Sequence, residues 1–192
     1  MSEITISASA DVVSDAMLSL VQRVRHKPYR FLAPELGDGL DRLWFRQIAE
    51  DLREGRGRLF TAHRSNRISG MVVYADLPWE TRLFARRMGA IRHLVVDPES
   101  PNRQDVTRCL VQRVTDLAAA DGIDFLLCKT YTDDSLSIHT LESAGFLLMD
   151  TLVDFVYDYR KGVSDDPRGL DLPDDCTIRP ATPEDEAALV EV

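Results

Sequence analysis

Hydrophobic residues recur along the chain at two spacings, and the wider spacing is that of α-helices. In residues 11–25, 40–54 and 102–120 the apolar side chains fall every three or four positions, as on one face of a helix. A fourth segment, residues 135–143, is closed by Ala144-Gly145, which is typical of a helix end. The pattern therefore predicts four helices.

The narrower spacing and the short continuous apolar runs predict β-strands. Two of the runs flank a polar turn at residues 64–67, which indicates an antiparallel hairpin. The last strand alternates apolar residues with Asp150, Asp154 and Asp158, as a half-buried strand does. Residues 77–88, around Pro78-Trp79, are predicted to be irregular. The predicted strands are residues 58–63, 68–75, 90–96, 123–128 and 148–159.

The order of these elements defines a fold class. It runs helix, helix, hairpin, strand, helix, strand, helix, strand. The strand–helix–strand unit at residues 90–128 requires a parallel pairing with a right-handed crossover. The sequence therefore predicts an α/β fold, with one central mixed β-sheet flanked by helices.

Charge is distributed unevenly along the 192 residues, which carry a net charge of -9. Residues 164–192 hold nine acidic residues and two arginines, or -7 in total, which leaves -2 for residues 1–163. A nearly neutral body without a basic stripe makes nucleic-acid binding an unexpected function. No apolar run reaches the ~18 residues of a membrane span, so no membrane partner is expected.

Two further features bear on the cellular context. The N-terminus lacks the basic start and apolar stretch of a signal peptide, so we expect a cytoplasmic protein. The three cysteines, Cys109, Cys128 and Cys176, are odd in number and widely spaced. This pattern fits neither a disulfide framework nor a zinc site, and no metal is expected.

The element order resembles that of the GNAT superfamily of N-acetyltransferases over residues 58–159. The segment Glu142-Ser143-Ala144-Gly145-Phe146, after the last helix, adds to the resemblance. The resemblance implies a GNAT-like acyl-CoA N-acyltransferase fold. It also implies an enzyme that transfers an acetyl group from acetyl-CoA to a primary amine of a small molecule or a protein.

The resemblance further implies where acetyl-CoA binds. In the family the fourth and fifth strands splay apart, and unpaired backbone groups bind the pantetheine arm. A loop that opens the next helix holds the pyrophosphate through its amide N–H groups. By position, the cofactor-binding residues here are Leu94, Val95, Val96, Arg103, Gln104, Asp105, Val106, Thr107, Arg108 and Asp134.

The phosphate loop departs from the family pattern because residues 99–107 contain no glycine. Asn102, with Asp105 three residues later, has the spacing of a capping box that would take up the helix N–H groups. Two interpretations stay open. One is a plain capped helix start; the other is a working phosphate cradle in which Arg103 and Arg108 offset the charge of Asp105.

The sequence also leaves the identity of the catalytic residues undecided. Leu141 stands where the family's tyrosine protonates the leaving thiolate, and Tyr131 is only a remote substitute. His93, on a predicted strand, and Glu80, after Pro78-Trp79, are candidate catalytic bases, since either group can deprotonate an amine directly or through water. A structural histidine and a solvated loop acid are the corresponding alternatives.

The C-terminal residues predict a division into domains. Residues 162–175 are rich in Asp, Pro and Gly, as linkers are. Residues 176–192 resemble the start of a second, truncated GNAT domain, with Thr182 as helix cap and Pro183 at the first helical position. The first domain is then residues 1–161.

A tandem layout gives an alternative function. The chain would be a catalytically degenerate GNAT-like domain with a structural or regulatory role. It would stand beside an active second GNAT domain of the same chain, or in a homodimer.

Overall fold

The computed structural model of the chain describes residues 4–9, 14–27, 38–65, 67–153, 179–180 and 182–185. The chain divides into two compact units, Met1–Leu152 and Val153–Val192. The first unit contains all the strands and α-helices of the described residues. They are β1 (Thr5–Ser9), α1 (Asp15–Arg23), α2 (Asp38–Arg53), β2 (Arg58–Arg64), β3 (Arg67–Asp76), α3 (Pro78–Phe84), β4 (Met88–Val96), α4 (Arg103–Ala120), β5 (Phe125–Cys128) and α5 (Ser135–Ser143).

The strands form one mixed sheet in the order β1-β2-β3-β4-β5. The first four are antiparallel neighbours, and β4 and β5 are parallel. Helix α4 makes the crossover between the two parallel strands, as the strand–helix–strand pattern predicts. The α/β fold with a central mixed sheet is therefore confirmed.

Each face of the sheet carries its own hydrophobic core. Strand β3 alternates strictly, so that Val72 and Tyr74 face one side and Met71 and Val73 face the other. Helices α4 and α5 cover the first face with Val106, Leu110, Val111, Val114 and Leu141. Helices α1 and α2 cover the second face with Leu20, Val21, Trp44 and Ile48.

Helix α4 crosses β3 at a glycine, Gly70, and packs against the strand there without room for a side chain. A Cβ on Gly70 would lie 2.8 Å from Val106 Cγ1 and 3.0 Å from Leu110 Cδ1. The missing side chain thus sets the height of α4 above the sheet, and with it the position of the α4 N-terminus.

The structure differs from the predicted elements in three places. Strand β1 was not predicted, and residues 77–88, predicted to be irregular, contain helix α3. The prediction of a strand over residues 148–159 is wrong for residues 148–153, which form no strand and are exposed. Residues 154–159 lie outside the described residues.

In the second unit the described residues form one turn of 3-10 helix, Pro183–Asp185. The Asp185 carboxylate accepts hydrogen bonds from the backbone N–H of Thr182 (2.7 Å) and from Arg179 (2.6 Å). These contacts hold the pKa of Asp185 well below its usual range. Among the described residues of the chain, no helix combines the length and the apolar character needed to cross a bilayer.

Candidate active site

Strands β4 and β5 separate partway along the sheet. Their last pair joins Ile91 to Cys128, where β5 ends, whereas β4 continues to Val96. Within the described residues, the stretch of β4 after Ile91 therefore has no strand on its β5 side. The backbone of Leu94, Val95 and Val96 lies along this gap.

A β-bulge at Arg92 changes which side chains of β4 face each core. Val73 pairs with His93 and Tyr74 pairs with Ile91, so Arg92 is the extra residue of β4. Before the bulge Ile91 faces the α4 side, and after it His93 and Val95 face the α2 side. The bulge therefore directs His93 toward α2 at the point where the gap opens.

The connection from β4 to α4 is fixed by Asp97. Its N–H donates to Ser69 O (2.9 Å), and one carboxylate oxygen accepts from the Glu99 N–H (3.1 Å). The other oxygen forms an ion pair with Arg23 of α1 at 2.9 Å. This largely buried carboxylate positions the turn that delivers the chain to α4. In the sequence, Asp97-Pro98 marks the end of a strand, as turn residues do, but gives no sign of the contact with Arg23.

Asn102 does not cap α4 through its side chain, so the prediction of a capping box is wrong. The side-chain oxygen of Asn102 accepts a hydrogen bond from Arg64, and its side-chain nitrogen donates one to Pro101 O. The Asp105 carboxylate does not reach back either, because it pairs with Arg108 at 2.6 Å.

The first turn of α4 consequently keeps amide groups available at its N-terminus. The Arg103 N–H donates to Ser100 O and the Val106 N–H donates to Asn102 O. Among the described residues, no group accepts from the N–H of Gln104 or of Asp105. Free amides at the positive end of an 18-residue helix are suited to an anion.

A cavity of about 410 Å³ lies between the first half of α4 and α5. Arg103, Gln104 and Arg108 line it from α4. Ser135, His139, Thr140 and Ser143 line it from α5. The cavity thus offers two guanidinium groups and several hydroxyl groups beside the available amides. Thr107, by contrast, is buried and donates to Arg103 O at 2.7 Å, and Val106 belongs to the core.

His93 is partly buried, and its Nδ1 accepts a hydrogen bond from the Trp44 indole N–H of α2 at 3.1 Å. Burial lowers the pKa of His93 to about 4; Asp51 raises it in part, and Arg92 adds to the lowering. The ring is therefore neutral at physiological pH, with its proton on Nε2. Trp44 is a partner that sequence analysis treated only as a core residue.

Glu80 lies away from His93, at the opposite end of β4. Helix α3 is anchored to the first residue of β4, since Met88 N–H donates to Thr81 Oγ1 (3.0 Å) and Leu77 N–H donates to Met88 O (2.9 Å). His93 follows five residues later, roughly 16 Å along the strand. The structure does not bring the two candidate bases together.

Three other predicted positions have structural partners. Asp134 is the N-cap of α5, and its carboxylate accepts from the Ser137 N–H at 3.2 Å. Leu141 belongs to the core beneath α4 and α5. Tyr131 donates its hydroxyl to Lys27 O at 2.6 Å, and its ring stacks on His26. Burial raises the pKa of the Cys128 thiol to about 12, so the thiol is protonated at neutral pH.

Solved structures of several acetyltransferases share this fold. A probable acetyltransferase is 17% identical with a TM-score of 0.56, over 85% of this chain and 99% of that one. An aminoglycoside N-acetyltransferase in complex with CoA is 14% identical with a TM-score of 0.54, over 82% and 96%. A ribosomal-protein-alanine N-acetyltransferase from Brucella melitensis biovar Abortus 2308 is 15% identical with a TM-score of 0.51, over 81% and 99%.

The sequence itself gives the family. A model described as the acetyltransferase (GNAT) family matches residues 21–146, and the chain belongs to this family. By that membership it is an acetyl-CoA-dependent N-acetyltransferase, as the resemblance implied. No curated protein sequence matches the chain.

Proposed function

We propose that this chain binds acetyl-CoA in the gap between β4 and β5 and transfers the acetyl group to a primary amine of a small molecule or a protein. One observation carries the proposal. The gap beyond Ile91 and Cys128 leads, through the turn at Asp97, to a helix N-terminus whose Gln104 and Asp105 amides have no acceptor among the described residues.

Each part of the cofactor is assigned to the residues whose chemistry suits it. The backbone of Leu94, Val95 and Val96 is suited to the amide groups of a pantetheine arm. The Gln104 and Asp105 amides are suited to a pyrophosphate, with Arg103 and Arg108 supplying positive charge from the cavity wall. The Asp105–Arg108 ion pair reduces the repulsion between Asp105 and a phosphate. Asp134 contributes by fixing the start of α5.

Acetyl-CoA supplies an acetyl group already activated as a thioester. The reaction then needs a neutral amine beside the thioester, a group that accepts the amine proton and a proton for the departing thiolate. Because Leu141 is a buried core residue, we assign that last proton to solvent rather than to a side chain at this position.

Of the two candidate bases, His93 is the one beside the gap, so we assign the base role to it and none to Glu80. The neutral ring carries its proton on Nε2 and its Nδ1 lone pair accepts from Trp44, so Nδ1 takes the amine proton only once the Trp44 hydrogen bond opens. Replacing His93 with Gln should lower kcat by roughly 10²-fold or more while the KM for acetyl-CoA stays unchanged. Glu80→Gln is the matched control and should keep full activity. An unaltered kcat in His93→Gln would remove the assignment.

Cofactor binding is tested by thermal unfolding of the chain with and without millimolar acetyl-CoA. Ligand at ~100 times its Kd stabilises the folded state by about 2.7 kcal/mol, which raises Tm by several degrees. Gln104→Pro deletes one amide N–H in the first helical turn, where proline is tolerated, and should reduce the shift without lowering the Tm of the free chain. Gln104→Ala keeps the N–H and should retain the shift.

The acceptor is tested by following release of the CoA thiol with two kinds of amine. Aminoglycosides and peptides with an N-terminal alanine represent the acceptors named for two of the similar structures. Acetylation of either would define the acceptor class, and both are primary amines.

The alternative function is a catalytically degenerate GNAT-like domain with a structural or regulatory role beside an active second GNAT domain. The buried Leu141 favours it, because no hydroxyl stands at the position of the family's tyrosine. The Thr182–Asp185 contact also supports a helix start in residues 176–192. An acetyl-CoA shift in Tm without thiol release for any amine would support this alternative.

A further inference from the structure

Helix α3 exposes three large apolar side chains that nothing in the first unit covers. Trp79 is 61% exposed, Leu83 58% and Phe84 59%, and no residue of the helix is buried. Large side chains exposed together on one short helix are uncommon on a monomer surface and mark an interaction site.

This surface is also basic and firmly held. Arg82, Arg86 and Arg87 are exposed in and just after the helix, which itself contains one acid, Glu80. The Asp124 carboxylate accepts from the backbone N–H of Arg87. Both ends of the segment are fixed to β4, through Leu77 N–H to Met88 O and Met88 N–H to Thr81 Oγ1. Because the helix is already ordered, a partner loses little affinity to ordering it. We call Trp79, Arg82, Leu83, Phe84 and Arg86 the basic face.

A second exposed surface of the same unit has the complementary chemistry. In residues 147–152, Leu147 is 83% exposed, Leu148 82%, Met149 72% and Leu152 67%. The only charged residue among them is Asp150, which is also exposed. We call residues 147–152 the acidic strip.

We propose that the basic face of one copy binds the acidic strip of a second copy, and that the reverse contact forms at the same time in a two-fold dimer. Each contact buries apolar side chains on both sides and pairs Arg82 or Arg86 with Asp150. A two-fold axis satisfies both surfaces of both copies, which closes the assembly at two chains.

The available area is sufficient for such a dimer. Seven large apolar side chains, each more than half exposed, offer on the order of 900 Å² per copy, which matches the ~800 Å² per partner of stable interfaces.

The composition of the basic face would also suit an anionic membrane, since Trp, Phe and Arg are typical of interfacial helices. The second copy is favoured because the complementary acidic strip exists on the same chain. This proposal does not depend on cofactor binding, so it stands or falls separately from the proposed function.

Sedimentation velocity of the full chain from 1 to 100 µM tests the proposal, and we expect a concentration-dependent monomer–dimer equilibrium. Arg82→Glu with Arg86→Glu should raise the dimer Kd at least tenfold, and so should Asp150→Arg alone. Combining Asp150→Arg with the two Arg→Glu changes should restore the dimer, because the charges are then exchanged. Arg42→Glu with Arg46→Glu, on the exposed side of α2, is the matched control and should leave the Kd unchanged.

Three results would overturn the proposal. The first is a monomer at every concentration, and the second is a dimer that both charge reversals leave intact. The third is a monomer that sediments with vesicles of phosphatidylcholine and phosphatidylserine, but not with phosphatidylcholine alone, in a manner lost in Trp79→Ala. That outcome would assign the basic face to a membrane.

Discussion

His93 shows how one partly buried side chain joins the candidate site to the stability of the fold. Its Nδ1 is held by Trp44, and its neighbours Asp51 and Arg92 act on it with opposite sign. The Asp51 carboxylate itself is held by Arg56 at 2.7 Å and lies 3.7 Å from Arg92. Since α2 supplies Trp44 and Asp51, this helix holds β4 at its bulge through polar contacts as well as through the core.

This arrangement predicts a specific pH dependence of stability. The pKa of His93 is about 4 in the folded chain and about 6.5 when unfolded. Between these values the unfolded chain binds more protons, so the free energy of unfolding should fall as pH is lowered from 6.5 to 4, by up to roughly 3 kcal/mol. Above pH 6.5 the ring is neutral in both the folded and the unfolded chain, so this loss of stability is absent.

Urea unfolding at pH 7 and pH 4.5 measures this dependence, and His93→Gln provides the control because glutamine does not titrate. The wild-type chain should lose more stability than the variant between the two pH values. Equal losses would mean that His93 keeps an ordinary pKa in the folded chain.

At the scale of elements, the contact between α4 and β3 places the candidate anion site. Because Gly70 has no side chain, Val106 and Leu110 lie so close to β3 that a Cβ on Gly70 would be in close contact with both. Helix α4 is rigid, so a displacement at this crossing is carried to Gln104 and Asp105 at its first turn.

Gly70→Ala should therefore be destabilising in spite of alanine's small size. The added Cβ meets Val106 Cγ1 at 2.8 Å and Val95 O at 3.1 Å, and overpacking of this kind costs about 1–3 kcal/mol. Val106→Ala removes one of the clashing groups, so the double variant should lose less stability than the sum of the two single losses. Strictly additive losses in urea unfolding would contradict the contact.

The elements that sequence analysis predicted correctly have a strong internal pattern. The β2–β3 hairpin, α2, β4, α4 and α5 combine clear periodicity with turn or cap residues, and their bounds differ from the predicted ones by a few residues at most. Strand β1 has only Ile6 and Ala8 as apolar residues and pairs on one side only, so its pattern is weak. Helix α3 is short and buries none of its residues, which leaves no periodic stripe to detect.

The candidate site was less predictable than the fold because it depends on contacts between distant segments. The sequence located the gap and the α4 N-terminus through the family resemblance. It could not show that Asn102 turns toward Arg64, or that Asp105 pairs with Arg108 instead of with the helix amides. A capping pattern in the sequence specifies only the spacing of the two residues. Whether their side chains bind the helix amides depends on other partners, here two arginines, that compete for them.

At the scale of the whole molecule, the fold and the candidate site belong to one unit. The sheet, both hydrophobic cores, the gap and the cavity between α4 and α5 all lie within Met1–Leu152. Most of the negative charge lies after it, since residues 153–192 carry -7 of the -9. The unit that holds the candidate chemistry is therefore nearly neutral.

A chain of residues 1–152 should accordingly fold cooperatively, with a Tm within a few degrees of the full-length value. If acetyl-CoA raises the Tm of the full chain, it should raise that of the shorter chain by the same amount, because the backbone of Leu94 to Val96 and the first turn of α4 are retained. Calorimetry of both chains with and without the ligand makes the comparison. A shift confined to the full chain would show that residues 153–192 complete the site, and loss of cooperative unfolding would show that they complete the fold.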